Sequence, residues 1–361
     1  MTEIVPGTAD LRRPVGGSGP ESPGGTPAIA VAFVLVLVVA TVGPLLYFGG
    51  GPAPSTEPIP ISHIVVVDME YHAYDNLFGG YCTTVGPNCP TGANGVPAGT
   101  CVPRDPSNAS MGCVVPYNYP ASELSSLDPR HEWNATVASI DGGRMDGFYL
   151  AEQKGDLPFG HYNGSTIPVY WDMAQQFGLG DNFFSSALSY SLPNHWYLLA
   201  GAAPPQSVNT SVLTNGGFAA KHAYLNASNR TSTVQDLLNR SPSTTWKYYD
   251  WALPSYQTAI NEPVITGMPG AYSYWNPLAA RYESYTQWYV NHFASRSSFF
   301  NDTASGQLPA VSWVIPDPSF SDHPPSNLTK GESFVASVVD AIESTPAWRS
   351  TAIFVTWDDY G

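Results

Sequence analysis

Several stretches of the chain carry hydrophobic patterns that commit them to particular structures. The uncharged apolar run from Ala28 to Phe48 has the ~20 residues that a helix needs to cross a hydrocarbon core about 30 Å thick. It reads as a transmembrane helix, being longer than the ~7–15 apolar residues of a cleaved signal peptide. His63-Ile-Val-Val-Val67 is β-branched throughout and bounded upstream by turn formers, the pattern of a buried central strand. Thr351-Ala-Ile-Phe-Val-Thr356 repeats that character. It follows Glu332 to Ile342, where Phe334, Val335, Val338, Val339 and Ile342 keep helical spacing. Val169 to Gln176 also has helix-like spacing, whereas the Tyr/Trp/Pro-rich middle from Pro204 to Pro309 gives weak signals. A helix leading into a strand speaks for an α/β sheet with crossovers.

These patterns divide the chain into a disordered tail over 1–27, a membrane helix over 28–48, a linker over 49–60 and a single domain over 61–361. Arg12 and Arg13 precede the apolar run, and no Lys or Arg follows it until Arg104. The positive-inside rule therefore puts the N-terminus inside and the domain outside. Cys82, Cys89, Cys101 and Cys113 all fall on the outer side, so two local disulfides are expected. Their gaps are too long for paired zinc ligands. Asn-x-Ser/Thr sequons at Asn108, Asn134, Asn163, Asn209, Asn226, Asn229, Asn301 and Asn327 suit a glycosylated outer surface. A formal net charge of -15 excludes a nucleic-acid backbone as partner, since phosphate contacts need clustered Lys and Arg. The same charge disfavours capture by anionic lipid.

Functional groups in α/β sheets gather at the carboxyl ends of strands. Asp68-Met-Glu70 follows the first predicted strand and Asp358-Asp359 the last. If those strands are neighbours, their carboxylates converge. Like charges so placed repel unless a divalent cation joins them, and the alternative is that these acids simply cap helices or face water.

His63-Ile-Val-Val-Val-Asp-Met-Glu-Tyr-His-Ala-Tyr-Asp-Asn-Leu-Phe-Gly79 resembles the opening signature of the phosphoesterase family that contains bacterial phospholipases C and acid phosphatases. Trp171-Asp-Met-Ala, Asp181-Asn-Phe-Phe-Ser-Ser and Ser191-Leu-Pro-Asn-His195 are similar to its second block. Pro309 to Pro316, Asp322-His-Pro-Pro325 and Trp357-Asp-Asp-Tyr-Gly361 follow its later blocks in order. The resemblance implies an alkaline-phosphatase-like α/β fold, with a central, mostly parallel sheet and helices on both faces. It implies metal ligands at Glu70, Tyr71, Ser191, Asp358 and Asp359, with Ser191 as nucleophile. His131 and His323 match histidines that line the family's pocket and act on the phosphoryl or leaving oxygen. Asn194 and His195 lie near enough to Ser191 in sequence to touch substrate.

The expected cofactor is one divalent ion. Oxygen ligands favour a hard cation such as Ca²⁺, with Zn²⁺ the alternative. The expected substrate is a phospholipid or a small phosphate ester. Trp246, Tyr248, Tyr249, Trp251, Tyr274 and Trp275 read as core rings ahead of a cage for a choline-like cation. Two departures bear on activity. Tyr71 stands where the family has an Asn that offers an amide oxygen to the metal, and the chain stops at Gly361 where family members continue through an Asp-His-Val segment. The expectation is a C-terminally incomplete domain, and the competing reading is an inactive membrane-anchored glycoprotein that keeps the fold.

Overall fold

The computed structural model describes residues 60–86, 94–125, 127–153, 155–205, 227–228, 230–250, 275–281, 288 and 290–360. Around the first β-branched run, strand β1 spans His63–Met69 and lies inside a five-stranded sheet with β2 (Trp246–Asp250), β3 (Phe293–Ser295), β4 (Val311–Val314) and β5 (Thr351–Trp357). The spatial order is β3-β2-β4-β1-β5 and every pairing is parallel. β1 is thus held on both edges, with Ile64 opposite Val311 on one side and Ala352 on the other. A fully paired strand exposes neither face nor edge to water, which is why it reads as a continuous Val/Ile run.

Successive side chains of β1 serve two apolar layers. Val65, Val67 and Met69 join a cluster with Phe334, Val335, Val338 and Ile342 of helix α6 (Leu328–Glu343). Phe299 of α5 (Arg296–Ala304) and Tyr170 and Trp171 of α3 (Pro168–Gln176) complete that layer. Val66 points the other way, against a second cluster of Trp246, Tyr248, Trp313, Leu278 and Leu199, the last from helix α4 (Ser191–Ala200). Two further helices, α1 (Tyr74–Phe78) and α2 (Trp133–Ile140), lie between β1 and α3 in sequence.

The weakly patterned middle holds both β2 and β3, an edge pair too short and too aromatic for a clear period-two signal. Four of the six middle aromatic residues, Trp246, Tyr248, Tyr249 and Trp275, are buried; Trp251 and Tyr274 lie outside the described residues. So do the predicted tail, the membrane span and all but the last residue of the linker. Among the described residues no helix is long and apolar enough to cross a membrane. Cys101 and Cys113 are bridged, and Cys82 is also disulfide-bonded. Asn108, Asn163 and Asn327 each accept a backbone hydrogen bond from the Ser or Thr side of their own sequon, at Ser110, Ser165 and Thr329. Their spacing therefore also serves local turns and helix caps.

Candidate functional site

Strand alternation aims the acids. Val66, Asp68 and Glu70 share one face of β1, the face on which α4 packs. Asp358 continues β5 by one further ladder bond, its N–H donating to the Met69 carbonyl at 3.0 Å. Across the sheet α4 presents His195. Its Nδ1 lies 2.8 Å from Asp68 Oδ2, and its Nε2 lies 2.8 Å from Glu70 Oε1 and 3.8 Å from Asp358 Oδ2. All four residues are buried. Glu70, His195 and Asp358 each offer a ligand atom within 4.8 Å of the others.

Helix α4 begins at Ser191, with Pro193 in its first turn, where a missing N–H breaks no helical bond. It ends at Gly201, whose left-handed φ of 64° closes the last turn through a bond to the Tyr197 carbonyl. Ser191 and His195 are four apart, so they occupy the same helix face. Asn194 fixes the approach to the helix. Its Oδ1 accepts from the Ala187 N–H at 2.8 Å, and its Nδ2 donates to the carbonyls of Ala187, Ser189 and Tyr190.

The electrostatics are those of crowded acids around one base. Burial raises the Asp68 carboxyl, and burial together with Asp358 raises Glu70 well above the usual range. Burial alone would depress His195, but the Asp68 and Glu70 carboxylates outweigh it and hold the imidazole well above its ordinary value. Glu70 Oε2 and Asp358 Oδ2 are buried with no hydrogen-bond partner among the described residues.

A family model described as "Phosphoesterase family" matches residues 61–361. The chain belongs to the phosphoesterase family. Curated relatives of this phosphoesterase include Phospholipase C A of Mycobacterium tuberculosis (strain ATCC 25618 / H37Rv), 25% identical over 332 residues, covering 87% of this chain and 60% of that protein. Non-specific phospholipase C6 of Arabidopsis thaliana is 22% identical over 322 residues, covering 84% of this chain and 54% of that protein. Non-hemolytic phospholipase C of Burkholderia pseudomallei (strain K96243) is 23% identical over 329 residues, with coverages of 83% and 44%. The chain thus spans about 60% or less of the length of these relatives.

The fold distributes the sequence-predicted site residues unevenly. Glu70, Asp358 and His195 meet in one cluster, with Asp359 buried next in sequence to Asp358 but outside the three-ligand group. Tyr71 reaches the cluster only through its backbone N–H, which donates to Asp358 Oδ1 at 3.0 Å. Its hydroxyl donates instead to Asp128 Oδ1 and the Pro129 carbonyl, each at 2.6 Å. Burial, reinforced by Asp128, raises that phenol and keeps it neutral. At φ 83° Tyr71 holds a backbone conformation costly for a bulky residue. His131 and His323 pack on the Tyr71 ring, with centroids 4.6 and 5.0 Å away, and stand 6.1 Å from each other. Burial lowers the His131 imidazole, favouring its neutral form.

Sequence reasoning missed two neighbours of this group. His72 is buried, with Nδ1 2.6 Å from Asn76 Oδ1 and Nε2 3.2 Å from the Asp322 carbonyl, and burial takes it down to about 4. Asp322, at φ 75°, accepts from the Tyr170 hydroxyl at 2.7 Å and from Trp357 Nε1 at 3.0 Å. The first had a sequence signal, a His two positions after the strand-end acid Glu70. The second stood in the Asp322-His-Pro-Pro325 block, but nothing in the sequence pointed to its donors, which come from elements far away along the chain.

Proposed function

We propose that this chain hydrolyses phosphate esters at a divalent cation, with Ser191 as the nucleophile. The observation carrying the reading is the convergence of the Glu70 and Asp358 carboxylates and the His195 imidazole, all buried, at the carboxyl ends of β1 and β5. The donor set fits a cation, since one buried oxygen of each acid, Glu70 Oε2 and Asp358 Oδ2, lacks a hydrogen bond among the described residues and the crowded acids resist ionising without one. Bound there, a divalent ion would polarise a phosphoryl oxygen and lower the pKa of an adjacent hydroxyl.

Ser191 opens α4, and a helix N-terminus favours the negative charge of a phosphoryl group. In the proposed reaction Ser191 Oγ passes its proton to His131 or His323 and bonds to phosphorus while the ester P–O bond breaks. The histidine so protonated gives that proton to the leaving alkoxide, and water, losing a proton to the same imidazole, then releases the phosphoryl group from the serine. The phospholipase C names of the relatives support a phospholipid as substrate, and a small phosphate ester uses the same chemistry. The apolar run 28–48 and the disulfides support a domain held outside a membrane by one helix.

The test is turnover of a chromogenic phosphomonoester and a phosphorylcholine diester, with chelator and with cation restored. Turnover that survives Ser191→Ala removes Ser191 from its role. One observation favours a second reading, a catalytically silent surface glycoprotein: the Tyr71 hydroxyl is committed to Asp128 and Pro129. A silent native chain that gains turnover on Tyr71→Asn would establish it.

A further inference from the structure

We propose that His195 is itself a metal ligand through Nε2, with Asp68 as its positioning residue behind Nδ1, so that the site selects a borderline ion such as Zn²⁺ over Ca²⁺. The inference rests on the metal-dependent phosphoesterase reading of this site.

The argument begins with the ring's own inventory. A neutral imidazole carries one N–H and one lone pair. Asp68 Oδ2 stands 2.8 Å from Nδ1 as an ion-pair contact, and Nε2 shares a hydrogen with Glu70 Oε1 at 2.8 Å, so a cation that replaces this hydrogen leaves the remaining N–H on the Asp68 side. The Nε2 lone pair then faces Glu70 Oε1 at 2.8 Å and Asp358 Oδ2 at 3.8 Å. Three lone pairs aimed at one buried point repel unless a proton or a metal ion sits among them. Ligand atoms ~2.0–2.2 Å from one zinc ion stand about 3–3.5 Å apart, so the observed separations, all within 4.8 Å, need little adjustment.

The surrounding bonds leave these atoms for an ion. Asp358 Oδ1 is taken by the Tyr71 N–H, while Oδ2 has no hydrogen-bond partner among the described residues. Tyr71 offers no side-chain oxygen to the group, since its hydroxyl bonds to Asp128 and Pro129. His195 thereby supplies the donor that Tyr71 withholds, and the donor is a nitrogen. Ca²⁺ takes six to eight oxygen ligands, whereas two carboxylates and an imidazole with an open position suit Zn²⁺. A carboxylate behind the second ring nitrogen is the usual support of a metal-bound histidine, fixing its tautomer and orientation.

The test uses the full chain, stripped by chelator and dialysed against Zn²⁺, Co²⁺ or Ca²⁺, with bound metal counted by mass spectrometry. One Zn²⁺ per chain, bound at least ~100-fold more tightly than Ca²⁺, is expected, together with a Co²⁺ absorption spectrum of low coordination number. His195→Asn is expected to weaken Zn²⁺ by ~100-fold or more, and Asp68→Asn by ~10–100-fold. The native-chain measurements stand even where a variant misfolds. Equal or tighter binding of Ca²⁺ by the native chain overturns the proposal. So does metal uptake that appears only in His195→Asn, which would make the native imidazole a built-in replacement for the ion. Ca²⁺-supported turnover in His195→Asn at the native level sinks this inference and leaves the phosphoesterase reading intact. His195-dependent Zn²⁺ binding without turnover supports the inference and sinks that reading.

Discussion

Two groups of buried carboxylates lie close to the carboxyl ends of the sheet, and they are satisfied in opposite ways. Asp68, Glu70 and Asp358 crowd around one imidazole, with Glu70 Oε2 and Asp358 Oδ2 left without hydrogen bonds among the described residues. Asp322 and Glu332 are held by neutral donors. Tyr170 Oη and Trp357 Nε1 both donate to Asp322 Oδ2, leaving Oδ1 without a hydrogen bond among the described residues, and the backbone N–H groups of Val169 and Tyr170 donate to Glu332 at 2.8 and 3.1 Å. The first arrangement resists ionisation until a cation enters it. The second ties the start of α3, the helix α6 and the end of β5 together without one. Burial alone therefore does not mark an acid as catalytic; the nature of its partners does.

The sharpest way to break this contrast is to neutralise one member of each group. A bound cation contributes several kcal/mol to transition-state stabilisation, so Glu70→Gln should lower turnover by about 10³-fold. Its thermal stability in chelator should hold or rise, because a crowded buried charge is gone. Unchanged turnover would dissolve the distinction. On the other side, a Cβ at Gly331 would stand 1.8 Å from Asp322 Oδ1. Gly331→Ala should accordingly cost ~1–3 kcal/mol of stability by overpacking, read by denaturant unfolding, with turnover per folded molecule retained.

A smaller effect is expected at Asn327, which caps α6 by accepting from the Thr329 N–H. Asn327→Ala should cost ~1 kcal/mol. Most specific is a pH effect. Burial pushes both Asp322 and Glu332 up to about 7, with the Glu332 charge adding to the rise at Asp322 and the Asp172 charge to that at Glu332. The folded state then binds protons that the unfolded chain releases above its ordinary carboxylate range. Their contribution to stability is complete below that range and is lost as pH rises through about 7. Melting temperature in chelator should fall between pH 5 and 8, and Glu332→Gln should flatten the fall; an unchanged slope would remove Glu332 from this role.

The sequence patterns made β1, β5 and α6 legible because their burial is regular. Val65, Val67 and Met69 alternate, and Phe334, Val335, Val338, Val339 and Ile342 recur at helical spacing. β2 and β3 escaped because strands of five and three residues carry too little alternation to read. At the site, Glu70 and Asp358 were visible as acids directly after apolar runs. What spacing cannot convey is which atom of which residue faces them. His195 reads in sequence as a substrate contact, and only the packing of α4 on the Val66 face sets its two nitrogens between Asp68 and Glu70. Tyr71 occupies the motif's ligand position, yet Asp128 and Pro129 claim its hydroxyl. Asn194 reads as a substrate contact, whereas its amide is spent on the loop before its own helix.

The position of β1 in the middle of the sheet also governs how the chain comes into being. Both of its neighbours, β4 and β5, come after β2 and β3 along the chain, and Tyr71 and Asp358, whose bond closes the cluster, lie 287 positions apart. During synthesis the strand emerges with both edges bare and waits for β4 and β5 before it can pair. Such non-local pairing folds slowly and leaves apolar edges open to other chains in the meantime. Yield and solubility should therefore depend on what shields His63–Met69 while the ribosome is still at work, long before any substrate is met.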